Sequence, residues 1–315
     1  MRKALVTGCC GYIGSHLVGH LLRDGFRVVG VDSLLYPNCR HGLMANLGRF
    51  GFEFHRADAG SAKTLALAAG CDVVFPLAAV VGAPACDSYR DHASRTNSEA
   101  VRRLVGHLSP SQFVLYPNTN SGYGAAGREV TEDDPLSPVS HYGLTKLDGE
   151  KAVLDHPNSV SLRLATVFGA SPRMRLDLMV NDFASKLVTG GRLKVFEPHA
   201  SRNYVHVQDV CRAFMMMARV GPSSLEHRVY NVGNHTLNMT KFELAWAVCD
   251  VLGLARDLVS VGEGADPDRR DYVVSNKRLL MEGFSFLHGL AEGVREVELV
   301  CLSHSADQLR EMRNT

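Results

Sequence analysis

The 315-residue chain has no apolar run long enough to cross a membrane, no surplus of charge of either sign, no CxxC pair, and no internal repeat or low-complexity stretch. Each absence removes a class of protein. Without about 20 consecutive apolar residues a membrane-spanning helix is not expected. Lys and Arg number 34 against 33 Asp and Glu, a net charge of +1. The chain as a whole therefore exerts no long-range pull on nucleic acid or anionic lipid, and neither is expected as a partner. Its first apolar run, Ala4-Leu5-Val6, stops at Thr7-Gly8 and reads as a short strand, not as the core of a signal peptide, so the expected compartment is the cytoplasm. Eight cysteines are present, at 9, 10, 39, 71, 86, 211, 249 and 301. None has metal-ligand spacing, so no metal centre is expected and the thiols should be reduced. Cys9 and Cys10 read as small packing residues of a turn.

What is there is an ordinary globular composition, 45% hydrophobic and 21% charged, arranged in a regular alternation. Short Val- and Leu-rich runs at Ala4-Thr7, Arg27-Val31, Phe52-His55, Asp72-Phe75 and Gln112-Tyr116 predict strands, while Tyr12-Arg23 and Asp91-His107 carry helical periodicity. The pattern continues through a helix from Tyr142 to about Asp155 and a strand at Val160-Leu164, then becomes irregular. Such alternation predicts an α/β fold, a doubly wound parallel sheet with helices on both faces. The expected division is a nucleotide-binding domain over 1–168. Residues 169–315 would form mainly a smaller substrate-binding lobe, with some segments returning to the first domain.

The strand-to-helix junction Val6-Thr7-Gly8-Cys9-Cys10-Gly11-Tyr12-Ile13-Gly14 carries a GxxGxxG pattern. Gly8 permits the tight turn, Gly11 lets the backbone approach a pyrophosphate, and Gly14 lets helix and strand pack closely. Tyr12 and Ile13 open the helix, whose free amides and positive dipole end suit phosphates. Asp32, ending the second strand, is placed to accept hydrogen bonds from adenosine ribose hydroxyls. No arginine follows it, so a 2′-phosphate would meet repulsion, and the expected cofactor of this Rossmann domain is NAD, not NADP.

Tyr142 and Lys146 stand four apart on a predicted helix and so share a face. A phenol with a pKa near ~10 is a weak base at neutral pH, but an adjacent ammonium stabilises its phenolate. With the nucleotide turn in the same chain, the pair reads as a proton-transfer device for hydride chemistry.

At this point the sequence resembles the extended short-chain dehydrogenase/reductase family, and within it the nucleotide-sugar epimerases and dehydratases. Beyond the glycine turn and the Tyr142-Lys146 pair, the resemblance rests on Asp58 with Ala59 after the third strand, on Leu77-Ala78-Ala79 after the fourth, and on Asn97. It also rests on Asn118-Thr119-Asn120-Ser121-Gly122-Tyr123-Gly124, on Leu162-Gly169 and on Arg202-Val210. Pro76, where a histidine is common, departs from the pattern. The resemblance implies cofactor contacts from Asp58, Ala59, Leu77, Ala78, Ala79, Asn97, Tyr142 and Lys146. It implies catalysis by Thr119, Tyr142 and Lys146: Tyr142 takes a sugar hydroxyl proton, Thr119 bonds the same oxygen, and Lys146 holds the nicotinamide ribose. A nucleotide-diphosphate sugar would be the substrate, with Arg202 on its phosphates and Asn181 facing it. Arg173 and Arg175 are further candidates for the substrate, and Arg269 or Arg270 for a phosphate. A homodimer through Asp91-His107 and Tyr142-Asp155 is implied as well. His141 and His206 read as structural.

The dehydratases of the family carry an acid two or three residues before the tyrosine of the YG pair; here those positions are Asn120 and Ser121, neither of which has a useful pKa. The expected activity is therefore epimerisation, most often at C4, through a transient keto-sugar. Dehydration stays open if Glu129, Glu132 or Asp133 supplies a carboxylate, and the Thr119-Asn120 pair also resembles a 2-epimerase. A one-way sugar oxidoreductase and a non-catalytic NAD-binding regulator are the alternatives from other classes.

Overall fold

The computed structural model describes residues 1–262 and 270–314. Strands β1 (Lys3–Thr7), β2 (Arg27–Asp32), β3 (Phe52–Arg56), β4 (Val73–Pro76) and β5 (Phe113–Thr119) alternate with α1 (Gly14–Arg23), α2 (Cys39–Met44), α3 (Ala62–Ala68), α4 (Ala83–Ser88), α5 (Arg90–Ser94) and α6 (Ala100–His107). There follow β6 (Glu129–Val130), α7 (His141–Leu154), β7 (Ser159–Leu164), β8 (Thr166–Phe168), α8 (Met179–Val188), β9 (Leu193–Val195), β10 (Ser201–His206), α9 (Val207–Val220) and β11 (Val229–Val232). Seven of these strands form one sheet in the order β11-β7-β5-β4-β1-β2-β3, parallel throughout. Strand order reverses between β1 and β4, and in such sheets the crevice outside the carboxyl ends at that reversal is where ligands bind.

Alternation along each strand assigns the two faces. Ala4 and Val6 of β1 join Val28, Phe75, Leu115 and Leu162 in one core cluster, while Leu5 joins Val29, Val74, Val114 and Tyr116 in the other, as a period of two requires. Helices α1 and α9 contribute Leu17, Leu21, Val210 and Phe214 to the first cluster. The second takes Leu104 from α6 and Val153 from α7. The first cluster extends unbroken into the later part of the chain through Phe168, Val180, Leu244 and Val294, so the two halves share one core. Among the described residues no helix is long and apolar enough to cross a membrane.

Two departures from the sequence reading matter for the site. β5 runs on to Thr119, because its partner β7 pairs with it as far as Thr119 opposite Leu164. The helix expected over Asp91-His107 is interrupted by a π-helical turn at Arg95–Glu99, and that turn carries Asn97. Widened turns of this kind re-aim side chains, and they are common beside functional sites.

Candidate active site

At the end of β1 the chain turns at Gly8 with φ +70°, where a Cβ would stand 2.7 Å from the Ala78 backbone nitrogen. A Cβ on Gly14 would collide with the Gly8 carbonyl oxygen, and one on Gly11 would meet only that same oxygen, at 3.1 Å. The turn is thus closed on its inner side and bare on its outer side. Helix α1 begins without a side-chain cap, its positive end at a cleft of about 290 Å³ lined by Gly8, Gly11, Tyr12, Ile13 and Gly14, while the Gly11 and Ser15 amides are spent on the Gly8 and Gly11 carbonyls. Such a cradle fits a dinucleotide diphosphate.

Asp32 shares that cleft. Its two oxygens are already organised, one accepting from the Cys10 amide at 3.0 Å and the other from the Leu34 amide at 2.8 Å. Leu34 adopts the left-handed conformation, φ 58°, which is unusual for a branched side chain and is held here by the Asp32 bond. Burial pushes the Asp32 carboxyl above its ordinary range. Among the described residues, Cys9, Cys10 and Asp32 are the one trio of potential metal ligands with donor atoms within 4.8 Å of one another. The hydrogen bond with Cys10, reinforced by burial, holds the Cys9 thiol protonated, and the trio follows from the tightness of the turn.

From Asp32 the cleft runs past Asp58, Ala59, Leu77, Ala78 and Ala79 to Thr119, Tyr142 and Lys146. The Ser140 hydroxyl caps α7 by accepting the Gly143 amide at 3.2 Å, so Tyr142 and Lys146 fall on its first two turns. The helix sits tightly on β5: a Cβ on Gly149 would strike the Tyr116 hydroxyl. The Lys146 ammonium lies 4.0 Å from the centre of the Tyr116 ring, while the Tyr116 hydroxyl donates to the Lys146 carbonyl at 3.3 Å. Burial pulls the Lys146 pKa down to about 7, against the opposing pull of Glu150 one turn further on. Burial, with the neighbouring Cys86 thiol, pushes Tyr142 up to about 12, while Arg175, Arg270 and a hydrogen bond with Thr119 draw it back. Thr119 donates to the Ser121 hydroxyl at 2.9 Å and accepts the Ser121 amide at 3.1 Å; Arg270 donates to the same Ser121 hydroxyl.

Other residues expected at the site stand behind it. Asn97 is fully buried, and its carboxamide is spent on both backbone groups of Val80, at 2.8 and 2.9 Å, and on the Thr145 hydroxyl at 3.1 Å. It ties the loop after β4 to α7 and is not in the cleft wall. Asn181 is likewise fully buried: it accepts from the Gly169 amide at 3.0 Å and donates to the Arg175 carbonyl at 2.9 Å and the Tyr12 hydroxyl at 3.2 Å. Arg202 is buried, donates to the Ser201 carbonyl at 3.0 Å and lies 5.9 Å from the Tyr272 ring centre, outside the wall. Arg173, Arg175 and Arg270 do line the cleft. Arg269 lies outside the described residues. Tyr36, Cys39 and Asn314 also line the cleft; nothing in local spacing marks them, and packing alone brings them there.

The wall is also informative about acids. Its described carboxylates are Asp32 and Asp58, at the carboxyl ends of β2 and β3. Three strand spacings separate β2 from β5, roughly 14 Å. Glu132 instead accepts from the Asn231 amide at 2.8 Å and faces Arg278 at 3.7 Å, Asp133 pairs with Arg278, and Glu129 is exposed on β6. None of the three lines the cleft. Asn120 is buried, with neither end of its carboxamide hydrogen-bonded.

Comparison with known proteins matches residues 4–233 to the NAD dependent epimerase/dehydratase family. Among similar curated proteins, an uncharacterized UDP-glucose epimerase, YtcB of Bacillus subtilis (strain 168), is 31% identical over 73% of this chain and 76% of its own length. A UDP-glucose 4-epimerase of Mycolicibacterium smegmatis is 30% identical over 80% of this chain and 83% of its own. A dTDP-glucose 4,6-dehydratase of Streptomyces griseus is 29% identical over 92% of this chain and 91% of its own. Among solved structures, MoeE5 in complex with UDP-glucuronic acid and NAD is 28% identical with a TM-score of 0.79, covering 96% of this chain and all of that one.

Proposed function

Because the chain belongs to the NAD dependent epimerase/dehydratase family, we propose that it is a nucleotide-sugar epimerase inverting C4, with Tyr142 as base, Thr119 and Lys146 as its partners, and a UDP-sugar as the first substrate to try. NAD, the family's cofactor, would be held by the Gly8-Gly11-Gly14 turn, Asp32, Asp58 and Lys146, and supplies a reversible hydride acceptor. The phenolate of Tyr142 takes the proton of the sugar hydroxyl. Thr119, hydrogen-bonded to Tyr142 and Ser121, is placed to hold the same oxygen as its charge changes. Lys146 favours the phenolate by its charge. After the keto-sugar turns over, the same tyrosine returns the proton to the oxygen presented from the other face.

One observation carries the choice of epimerisation over dehydration. Among the described residues, the sugar end of the cleft, around Thr119 and Tyr142, has no carboxylate in its wall. Expelling a sugar hydroxyl needs an acid in reach of the leaving oxygen, whereas a reversible oxidation needs only the tyrosine. Incubating the purified protein with UDP-, GDP-, CDP- and ADP-sugars should yield an isomer of unchanged mass. Loss of one water would mean dehydration, and NADH accumulating in step with sugar oxidation would mean a one-way dehydrogenase.

The proton inventory gives a pH dependence. With Tyr142 at about 12 in the protein alone, its phenolate fraction grows roughly tenfold per pH unit below that value. The rate should therefore climb with pH on the acid side of the profile. Removing the ammonium with Lys146→Met should move that ascending limb to higher pH, because the phenolate loses a cation from the same helix face. A profile that falls from pH 6 to pH 9 in Lys146→Met, which has no ammonium to lose near pH 7, would exclude a tyrosine base.

A further inference from the structure

The arginines of the cleft differ in how their charge is met. Arg175, buried, is clamped by Asp177, its Nε standing 3.0 and 3.1 Å from the two carboxylate oxygens. Arg173 is equally buried, yet no carboxylate pairs with it among the described residues. Its Nη2 donates to the Asn314 carboxamide oxygen, its guanidinium lies 4.8 Å from the centre of the Tyr36 ring, and its buried Nε donates to nothing. Burial, and the like charge of Arg175, both work against its protonated form. A buried guanidinium in a wall, with a donor unspent, is matched by an anion that enters the cavity.

Its position says which anion. Arg173 shares its part of the wall with Tyr36, Cys39 and Asp32, and its charge is felt by Asp32. Arg175, by contrast, is felt by Tyr142. The segment carrying Arg173 is stitched to the back of the nucleotide turn: the Ser171 hydroxyl donates to the Tyr12 carbonyl at 2.8 Å and lies 3.3 Å from the Ser15 hydroxyl. The far end of the chain braces it, with Leu176 donating to the Met312 carbonyl at 2.8 Å and the Asn314 amide to Asp177 at 3.2 Å.

We propose that Arg173 is a cofactor-binding residue, its guanidinium closing on the diphosphate of the dinucleotide opposite the turn at Gly11–Gly14 and the positive end of α1. The assignment moves Arg173 from the sugar-nucleotide to the cofactor side of the cleft. It brings a cation to the diphosphate from a segment about 140 residues downstream of Asp32 in the chain. It rests on the NAD dependence of the family and not on which sugar is turned over; a protein that holds NAD but epimerises nothing leaves it standing.

The test measures NAD bound per subunit in protein as purified, the Kd for NAD, and the Kd for UDP, in wild type, Arg173→Gln and Arg173→Lys. Losing a charge-assisted bond should weaken NAD by about tenfold to a hundredfold in Arg173→Gln, with a smaller loss in Arg173→Lys and UDP affinity within about twofold. Asn314→Ala, which frees the guanidinium without removing its charge, should weaken NAD by less than Arg173→Gln does. This keeps the test alive if Arg173→Gln does not fold. Weakened UDP with NAD unchanged would return Arg173 to the substrate. Weakened NADP with NAD unchanged would place it on a 2′-phosphate, and unchanged affinities in all three variants would leave it structural; each of these overturns the proposal.

Discussion

Replacing Tyr142 with Phe should leave a folded protein that still retains NAD and has lost turnover by roughly a thousandfold or more, the scale at which a positioned general base contributes. The ring is packed among Val80, Cys86 and Ala93, and Phe keeps that packing. What disappears is one hydroxyl, together with its hydrogen bond to Thr119. Nothing nearby can take over. Lys146 is drawn down to about 7, but its ammonium is seated on the Tyr116 ring. Cys86 is raised to about 11 by burial, so it stays a thiol at neutral pH. Near-normal epimerisation by the Phe variant, with NAD content matched to wild type, would falsify the tyrosine mechanism.

The second large effect is expected at Gly14. Its missing Cβ is not a matter of backbone freedom, since Gly14 opens α1 with ordinary helical geometry; the constraint is contact, because a methyl group there would run into the Gly8 carbonyl oxygen, with the Cys9 Cα 3.0 Å away. Both obstacles are backbone, so the turn itself must move. Gly14→Ala should therefore open the cradle by a few tenths of an ångström or more and release NAD. The protein should be purified free of cofactor and destabilised by about 1–3 kcal/mol, as for other forced overpacking. NAD extracted from the purified variant and a denaturant melt would check the two halves separately. Full NAD content in Gly14→Ala would mean that the turn does not cradle the cofactor.

These two residues also mark how far the sequence reading reaches. Gly14 and Tyr142 are both local signals, one in a nine-residue junction and the other in a four-residue spacing, and each was legible because its geometry is fixed by its own neighbours. The first five strands were legible for the same reason: alternating apolar runs fold against whatever core they meet. The family resemblance implies a cofactor role for Asn97 and a substrate role for Asn181, whereas the structure spends their carboxamides on Val80 and Thr145, and on Gly169, Arg175 and Tyr12. An asparagine carries the same donors and acceptors whether it faces a ligand or a backbone, and only burial separates the two.

The sequence by itself determined the glycine turn, the parallel order of the first half, the Tyr142-Lys146 face and the missing acids at Asn120 and Ser121. These depend on bond geometry, side-chain period and intrinsic pKa, which travel with the local chain. Tertiary structure alone decided that the described carboxylates of the cleft stand at β2 and β3, away from Thr119. It likewise decided that Tyr36, Cys39 and Asn314 reach the cleft, and that Arg173 comes to stand beside Asp32. Those facts are distances between segments far apart in the chain, set by how the shared core packs, and no local pattern encodes them.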